Sequence, residues 1–265
     1  MRKIKDLHLA IIYILLTYVI SGFGYLFWFQ TNSKEYGALF LFIPILAPLI
    51  STCVVNALSK GAIQINLKKC SIKGLLVGAG IPIFYYGVSI LVYVLCGNTL
   101  NAFHMRSQDI VTLCIQWTFA GFCEEIGWRG FFLPFLKKHM SLKNACLITG
   151  FLWAGWHIPM LPGGAYVTQR STPTWIILFT VGILCFSFIY GILSEMKIGR
   201  SIWTFVSIHA IHNILAQMIF TTVPEKGAIY LDDTGYIYLA VLLLFTLTMW
   251  ILYHKKVVIK RPSSL

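Results

Sequence analysis

Ala120-Gly121-Phe122-Cys123-Glu124-Glu125-Ile126-Gly127-Trp128-Arg129-Gly130-Phe131-Phe132 lies within an apolar stretch running roughly from Asp109 to Pro134 and sets two adjacent carboxylates and a guanidinium in the middle of it. An acid at the centre of a membrane helix costs about 2.5–3.5 kcal/mol even on insertion-based scales, so an ionisable group there marks a functional site whose partner has to be found. Everything else depends on whether this stretch does lie in lipid.

The composition says that it does. Over 265 residues the chain is 58% hydrophobic, 15% aromatic and only 11% charged, with a mean hydropathy of +0.77, far more apolar than an ordinary soluble domain. Crossing a hydrocarbon core of about 30 Å takes about 17–25 residues. Stretches of that kind fall at about 8–29, 36–58, 74–96, 110–133, 144–161, 174–194, 201–221 and 235–254. The expected fold is therefore all-α and polytopic, with about eight transmembrane helices. The first span follows Met1-Arg2-Lys3-Ile4-Lys5 and is expected to be retained, since it is long for a signal segment and has no small-residue cleavage pattern.

With the N-terminus placed in the cytoplasm, sixteen Lys and Arg residues fall on the inner side, four on the outer side, and the remaining one, Arg129, within a span. That bias predicts both termini cytoplasmic, in the plasma membrane. The +12 formal charge is then accounted for by topology and anionic inner-leaflet lipid, and nucleic-acid binding becomes unnecessary.

No linker, repeat or low-complexity tract divides the chain, so residues 1–265 read as one integral membrane domain. The seven cysteines form neither paired spacings nor a finger pattern, and read as small packing residues. Gly74-x-x-x-Gly78 in the third span reads as an intramolecular helix-packing face rather than a dimer interface. The outer loops are short, and one carries the turn-forming Pro162-Gly163-Gly164. His8, His139 and His254 fall at the inner boundary and His104 in an outer loop.

Three further polar groups lie in spans: Trp153-x-x-x-His157 in the fifth, and His209 with Asn213, flanking His212, in the seventh. Glu125 and Arg129 are spaced i, i+4 and read as a structural ion pair on one helix face. Glu124 points about 100° away from Glu125 and needs another partner. At 1.5 Å per residue, Glu124 lies about 14 Å above the inner end of its span, His157 about 20 Å, His209 about 12 Å and Asn213 about 18 Å. Neighbouring spans run in opposite directions, so this shared height predicts one common polar site.

Glu124-Glu125-Ile-Gly-Trp-Arg129, Phe151-Leu-Trp153-Ala-Gly-Trp-His157 and His209-Ala-Ile-His212-Asn213, in that order on successive spans, resemble the three motifs of the CAAX-protease and bacteriocin-processing family, also called type II CAAX prenyl endopeptidase-like or abortive-infection-like proteins. The resemblance covers about residues 117–216, the expected catalytic core. It implies an intramembrane endopeptidase in which Glu124 and His157 match the pair that activates water, and His209 and Asn213 match the residues that stabilise the oxyanion. Glu125 and Arg129 remain supporting.

The chemistry is consistent with that assignment. Peptide hydrolysis needs a base to make water nucleophilic and donors aimed at the tetrahedral oxygen. Glu124, His157 and His209 are also a one-carboxylate, two-histidine set that suits catalytic zinc. The absence of an H-E-x-x-H string tips the expectation towards water activated without metal. The expected partners are the lipid bilayer and a hydrophobic or lipid-anchored peptide, either a prenylated tail or a leader or bacteriocin precursor. An ion-coupled transporter and a catalytically idle bacteriocin-immunity or scaffold protein are the alternatives. The transporter reading lacks the paired, Gly/Pro-interrupted halves typical of such carriers.

Overall fold

The computed structural model describes residues 2–31, 34–61, 67, 70–103, 105–160, 172–224 and 227–259. His104 and the Pro162-Gly163-Gly164 turn lie outside them. Among the described residues every regular element is helical: α1 (Arg2–Gln30), α2 (Lys34–Leu58), α3 (Ile72–Leu95), α4 (Ser107–Glu125), a π-helical segment (Ile126–Phe132), α5 (Leu133–Lys137), α6 (Leu142–His157), α7 (Thr172–Ser194), α8 (Ile202–Thr222), a short α9 (Ala228–Leu231) and α10 (Tyr236–Ile259), with 3-10 turns at Ile158–Met160 and Lys197–Arg200. Each of the eight expected spans has its helical body, and the chain is an all-α, multi-pass membrane protein.

Among the described residues six helical spans are long and apolar enough to cross a membrane: Leu7–Gln30, Phe40–Leu58, Ile72–Leu95, Thr172–Ser194, Ile202–Ile219 and Ile229–Lys256. The two expected spans missing from this set are those that carry Glu124, Glu125 and Arg129, and Trp153 and His157. The first is diluted by its own site residues. The second, α6, has only 16 residues, about 24 Å at 1.5 Å per residue, which the 3-10 turn after it extends. The first is buried only from Ala120 onward, with Val111, Ile115 and Phe119 exposed, and α6 buries Trp153, Ala154, Trp156 and His157 at its end.

α1 packs along α2, α3 and α4 both pack on α8, α6 packs on α7, and α7 on α10. The Gly74-x-x-x-Gly78 face serves the α3–α8 contact: a Cβ on Gly78 would lie 2.6 Å from the Thr204 carbonyl oxygen and one on Gly74 2.6 Å from Thr204 Oγ1. The small residues therefore pack helices within the chain, as expected.

The backbone is helical without a break from Ser107 to Lys137, but directly after Glu125 it widens into the π segment. Pro134 explains why. In an α-helix its ring would clash with the Gly130 carbonyl and it has no N–H to donate. Widening the preceding turns, with the Leu133 N–H reaching back to Trp128 O, relieves that conflict. Such insertions recur at functional sites.

α1 holds α6 in place. The Tyr18 hydroxyl donates to Leu152 O at 2.6 Å, the Tyr25 hydroxyl to Trp156 O at 3.1 Å, and the Trp156 indole N–H to Ser21 Oγ at 2.7 Å. These bonds bracket Trp153. On another side of α8, the Tyr85 hydroxyl shares a 2.7 Å hydrogen bond with His212 Nδ1, and His212 Nε2 lies 3.9 Å from Asp233 Oδ1. His212 thus ties α8 to α3 and to the α9–α10 connection, whereas His209 faces α4.

Candidate active site

Glu124, Glu125, Arg129, His157 and His209 are all buried, and four of them meet directly. Arg129 Nη1 donates to Glu125 Oε1 at 3.0 Å, the i, i+4 pair expected from the spacing. The same oxygen lies 2.8 Å from His209 Nδ1 on α8. Glu125 thus does more than pair with Arg129; it also orients an imidazole on another helix. His209 Nε2 is directed at Glu124, 3.8 Å from Oε1. Gly121, one turn before Glu125, lets α8 come close, since a Cβ there would lie 3.2 Å from His209 Cβ.

The partner that Glu124 required is Trp153, whose indole N–H donates to Oε2 at 3.0 Å. His157 joins the site through the same residue, because its Nδ1 lies 2.8 Å from the Trp153 carbonyl oxygen. A carbonyl only accepts, so Nδ1 carries the proton and Nε2 of the neutral ring presents a lone pair. Among the described residues no hydrogen bond joins Glu124 to His157 directly, and none joins Asn213 to the cluster. Asn213 is half-buried one helical turn beyond His209. The shared height inferred from the sequence thus brings Glu124 and His209 into contact, His157 within one residue of Glu124, and Asn213 only onto the same stretch of α8.

Arg129 is sandwiched between aromatic rings, its guanidinium carbon 3.8 Å from the centre of the Trp153 ring and 4.1 Å from that of Tyr190. Stacking of this kind suits a flat, weakly hydrated cation and offsets part of the cost of burying it. Two carboxylates and one guanidinium leave a single formal negative charge, and the His209 imidazole lies against both carboxylates. Neither Tyr190 nor the bridging part played by Trp153 was read from the sequence. Tyr190 is one tyrosine in an apolar run, and Trp153 stood out only for its spacing from His157.

Among the described residues no group of three His, Cys, Asp or Glu side chains is placed to hold a metal ion. Glu124 Oε2 and His157 Nδ1 are engaged by the Trp153 indole and carbonyl, which leaves Glu124 Oε1 and His157 Nε2 for another partner.

The fold and the site define a multi-pass membrane protein with carboxylates, imidazoles and a guanidinium clustered between its helices. Residues 106–215 match the family model of type II CAAX prenyl endopeptidase Rce1-like proteins. The chain is also 29% identical over 175 residues to CAAX prenyl protease 2 of Methanococcus maripaludis, an alignment covering 57% of this chain and 62% of that protein. The chain thus spans under two thirds of the length of the curated relative that it matches. The matched segment is the one that carries the three motifs, in agreement with their resemblance to the CAAX-protease and bacteriocin-processing family.

Proposed function

We propose that this protein is an intramembrane endopeptidase that cleaves a hydrophobic or lipid-anchored peptide with water activated at Glu124. The observation that carries this reading is the contact of a buried carboxylate, Glu124, with His209 Nε2 at 3.8 Å inside the segment that matches CAAX endopeptidases.

Glu124 Oε1 takes a proton from water while its oxygen bonds to the peptide carbonyl carbon, and the His157 Nε2 lone pair accepts the water's other hydrogen bond. The carbonyl oxygen becomes an oxyanion, met by the N–H of a protonated His209 at Nε2 and by the Asn213 amide. Glu125, bound to His209 Nδ1, holds that ring in orientation. When the C–N bond breaks, the departing nitrogen takes the proton back from Glu124, which leaves a carboxylic acid and an amine. Removing one oxyanion donor of this type costs about 10²–10³ in rate.

The substrate class follows from the setting. An apolar groove lined by Cys114, Thr118, Phe122 and Trp203 runs along α4 and α8, the helices that carry Glu124 and His209, and it suits an apolar chain. The basic residues favour cytoplasmic termini in a plasma membrane, with access to the site from the inner side. The test is cleavage in liposomes containing wild type, Glu124→Gln, His157→Ala or His209→Ala. The reading expects loss of turnover in each variant with normal insertion. Wild-type turnover by any of them removes that residue from the mechanism, and no turnover by wild type itself leaves a binding or immunity role.

A further inference from the structure

We propose that Trp153 is a positioning residue for the water-activating carboxylate: its indole N–H holds Glu124 Oε2 so that Oε1, on the His209 side, is the oxygen that receives the proton. This rests on the reading of Glu124 as the base. The function proposed above does not require Trp153, and neither the motif spacing nor the resemblance gives its side chain a task.

Four contacts converge on this one residue. Its N–H is 3.0 Å from Glu124 Oε2. Its carbonyl oxygen is 2.8 Å from His157 Nδ1. Its ring lies under the Arg129 guanidinium at 3.8 Å. Its ring centre is 5.9 Å from that of His209. Trp153 is 3% exposed, and the α1 hydrogen bonds to Leu152 O and Trp156 O fix the backbone on both sides of it.

The chemistry of indole suits the task. A carboxylate has two equivalent oxygens and turns about its last bond, whereas a general base must keep one oxygen within about 2.6–3.2 Å of the proton that it abstracts. Indole N–H is a donor only, so it binds one oxygen and cannot compete for the water's protons. The guanidinium over its ring draws electron density from it and strengthens the N–H as a donor. Through its carbonyl the same residue sets the tautomer of His157. Both acceptors of the attacking water are therefore referred to one rigidly held residue, and small misplacements of such groups are costly in rate.

A packing role alone would need only the ring. The experiment therefore replaces Trp153 in the full chain with Phe and, at that single site, with benzothienylalanine, which keeps the bicyclic shape and lacks the N–H. The probe is a farnesylated, internally quenched peptide in phosphatidylcholine–phosphatidylglycerol liposomes. Loss of a hydrogen bond to a charged group predicts a fall in kcat of about 10- to 100-fold in both variants, with KM within about twofold and an unchanged melting temperature for benzothienylalanine. Wild-type kcat in the benzothienylalanine protein overturns the proposal. A second readout does not depend on turnover. The Trp153 indole N–H resonance, assigned by its disappearance in Trp153→Phe, is expected to move upfield in Glu124→Ala, and an unmoved resonance also overturns the proposal. Equal cleavage by wild type and Glu124→Gln instead overturns the reading of Glu124 as the base, while the indole resonance still reports whether the contact exists.

Discussion

Glu125 Oε1 lies 2.8 Å from His209 Nδ1, so an oxygen already bound to Arg129 within its own helix also fixes an imidazole across the α4–α8 interface. On the proposed mechanism stability and catalysis meet in one atom, and the two adjacent glutamates divide the work. Glu125 organises the cluster, and Glu124 is left with Oε1 turned towards His209 Nε2.

Glu125→Gln is expected to reduce both folding and turnover. Removing one partner of a buried ion pair costs about 3–5 kcal/mol because it strands the other charge, here that of Arg129. Its amide also holds His209 less firmly than a carboxylate does. Thermal unfolding in detergent, with turnover measured on the folded fraction, checks both effects. Full turnover per folded molecule would reduce Glu125 to structure alone.

Arg129→Lys keeps the charge and loses the flat face between Trp153 and Tyr190. The two side chains are not equivalent at a stacked, bidentate-capable position. A lower melting temperature is expected, and Arg129→Met, which takes the guanidinium from Glu125, should lower it further. Equal melting of Arg129→Lys and wild type would contradict the sandwich.

His212→Phe is expected to retain cleavage within a few-fold and to lose about 1–3 kcal/mol of stability through the stranded Tyr85 hydroxyl. Turnover and unfolding of the same preparation test this. Abolished cleavage in a well-folded protein would extend the site to the α3 side of α8.

Chelation with EDTA is expected to leave turnover of the purified protein within about twofold of the untreated value, because the proposed mechanism activates water with the Glu124 carboxylate and the His157 lone pair alone. Metal analysis accompanies the assay. Stoichiometric zinc lost together with activity would contradict this.

The spans could be read from the sequence because about 20 apolar residues in a row have few other uses. The Glu125–Arg129 pair could be read because i, i+4 neighbours meet on any helix. The Glu125–His209 bond could not, since how far α4 and α8 are rotated towards one another depends on packing, with Gly121 allowing the approach. The π segment was hidden as well: Pro134 announces a disturbance in the helix, but spacing rules assume 3.6 residues per turn. Height above the membrane face located Glu124 and His209 well and Asn213 less closely, because a rise per residue carries no information about azimuth. Trp153 was legible as a residue but not as a bridge, because its backbone carbonyl and its side chain serve two different partners.

The central claim is that Glu124 activates the water. Its most direct test is a comparison of the membrane peptidomes of cells carrying wild type and Glu124→Gln, followed by cleavage of the accumulated peptide with purified protein. The account predicts an uncut hydrophobic or lipid-anchored peptide that accumulates only with Glu124→Gln and is cleaved in vitro only by wild type; identical peptidomes, or cleavage by both proteins at the same rate, would contradict it.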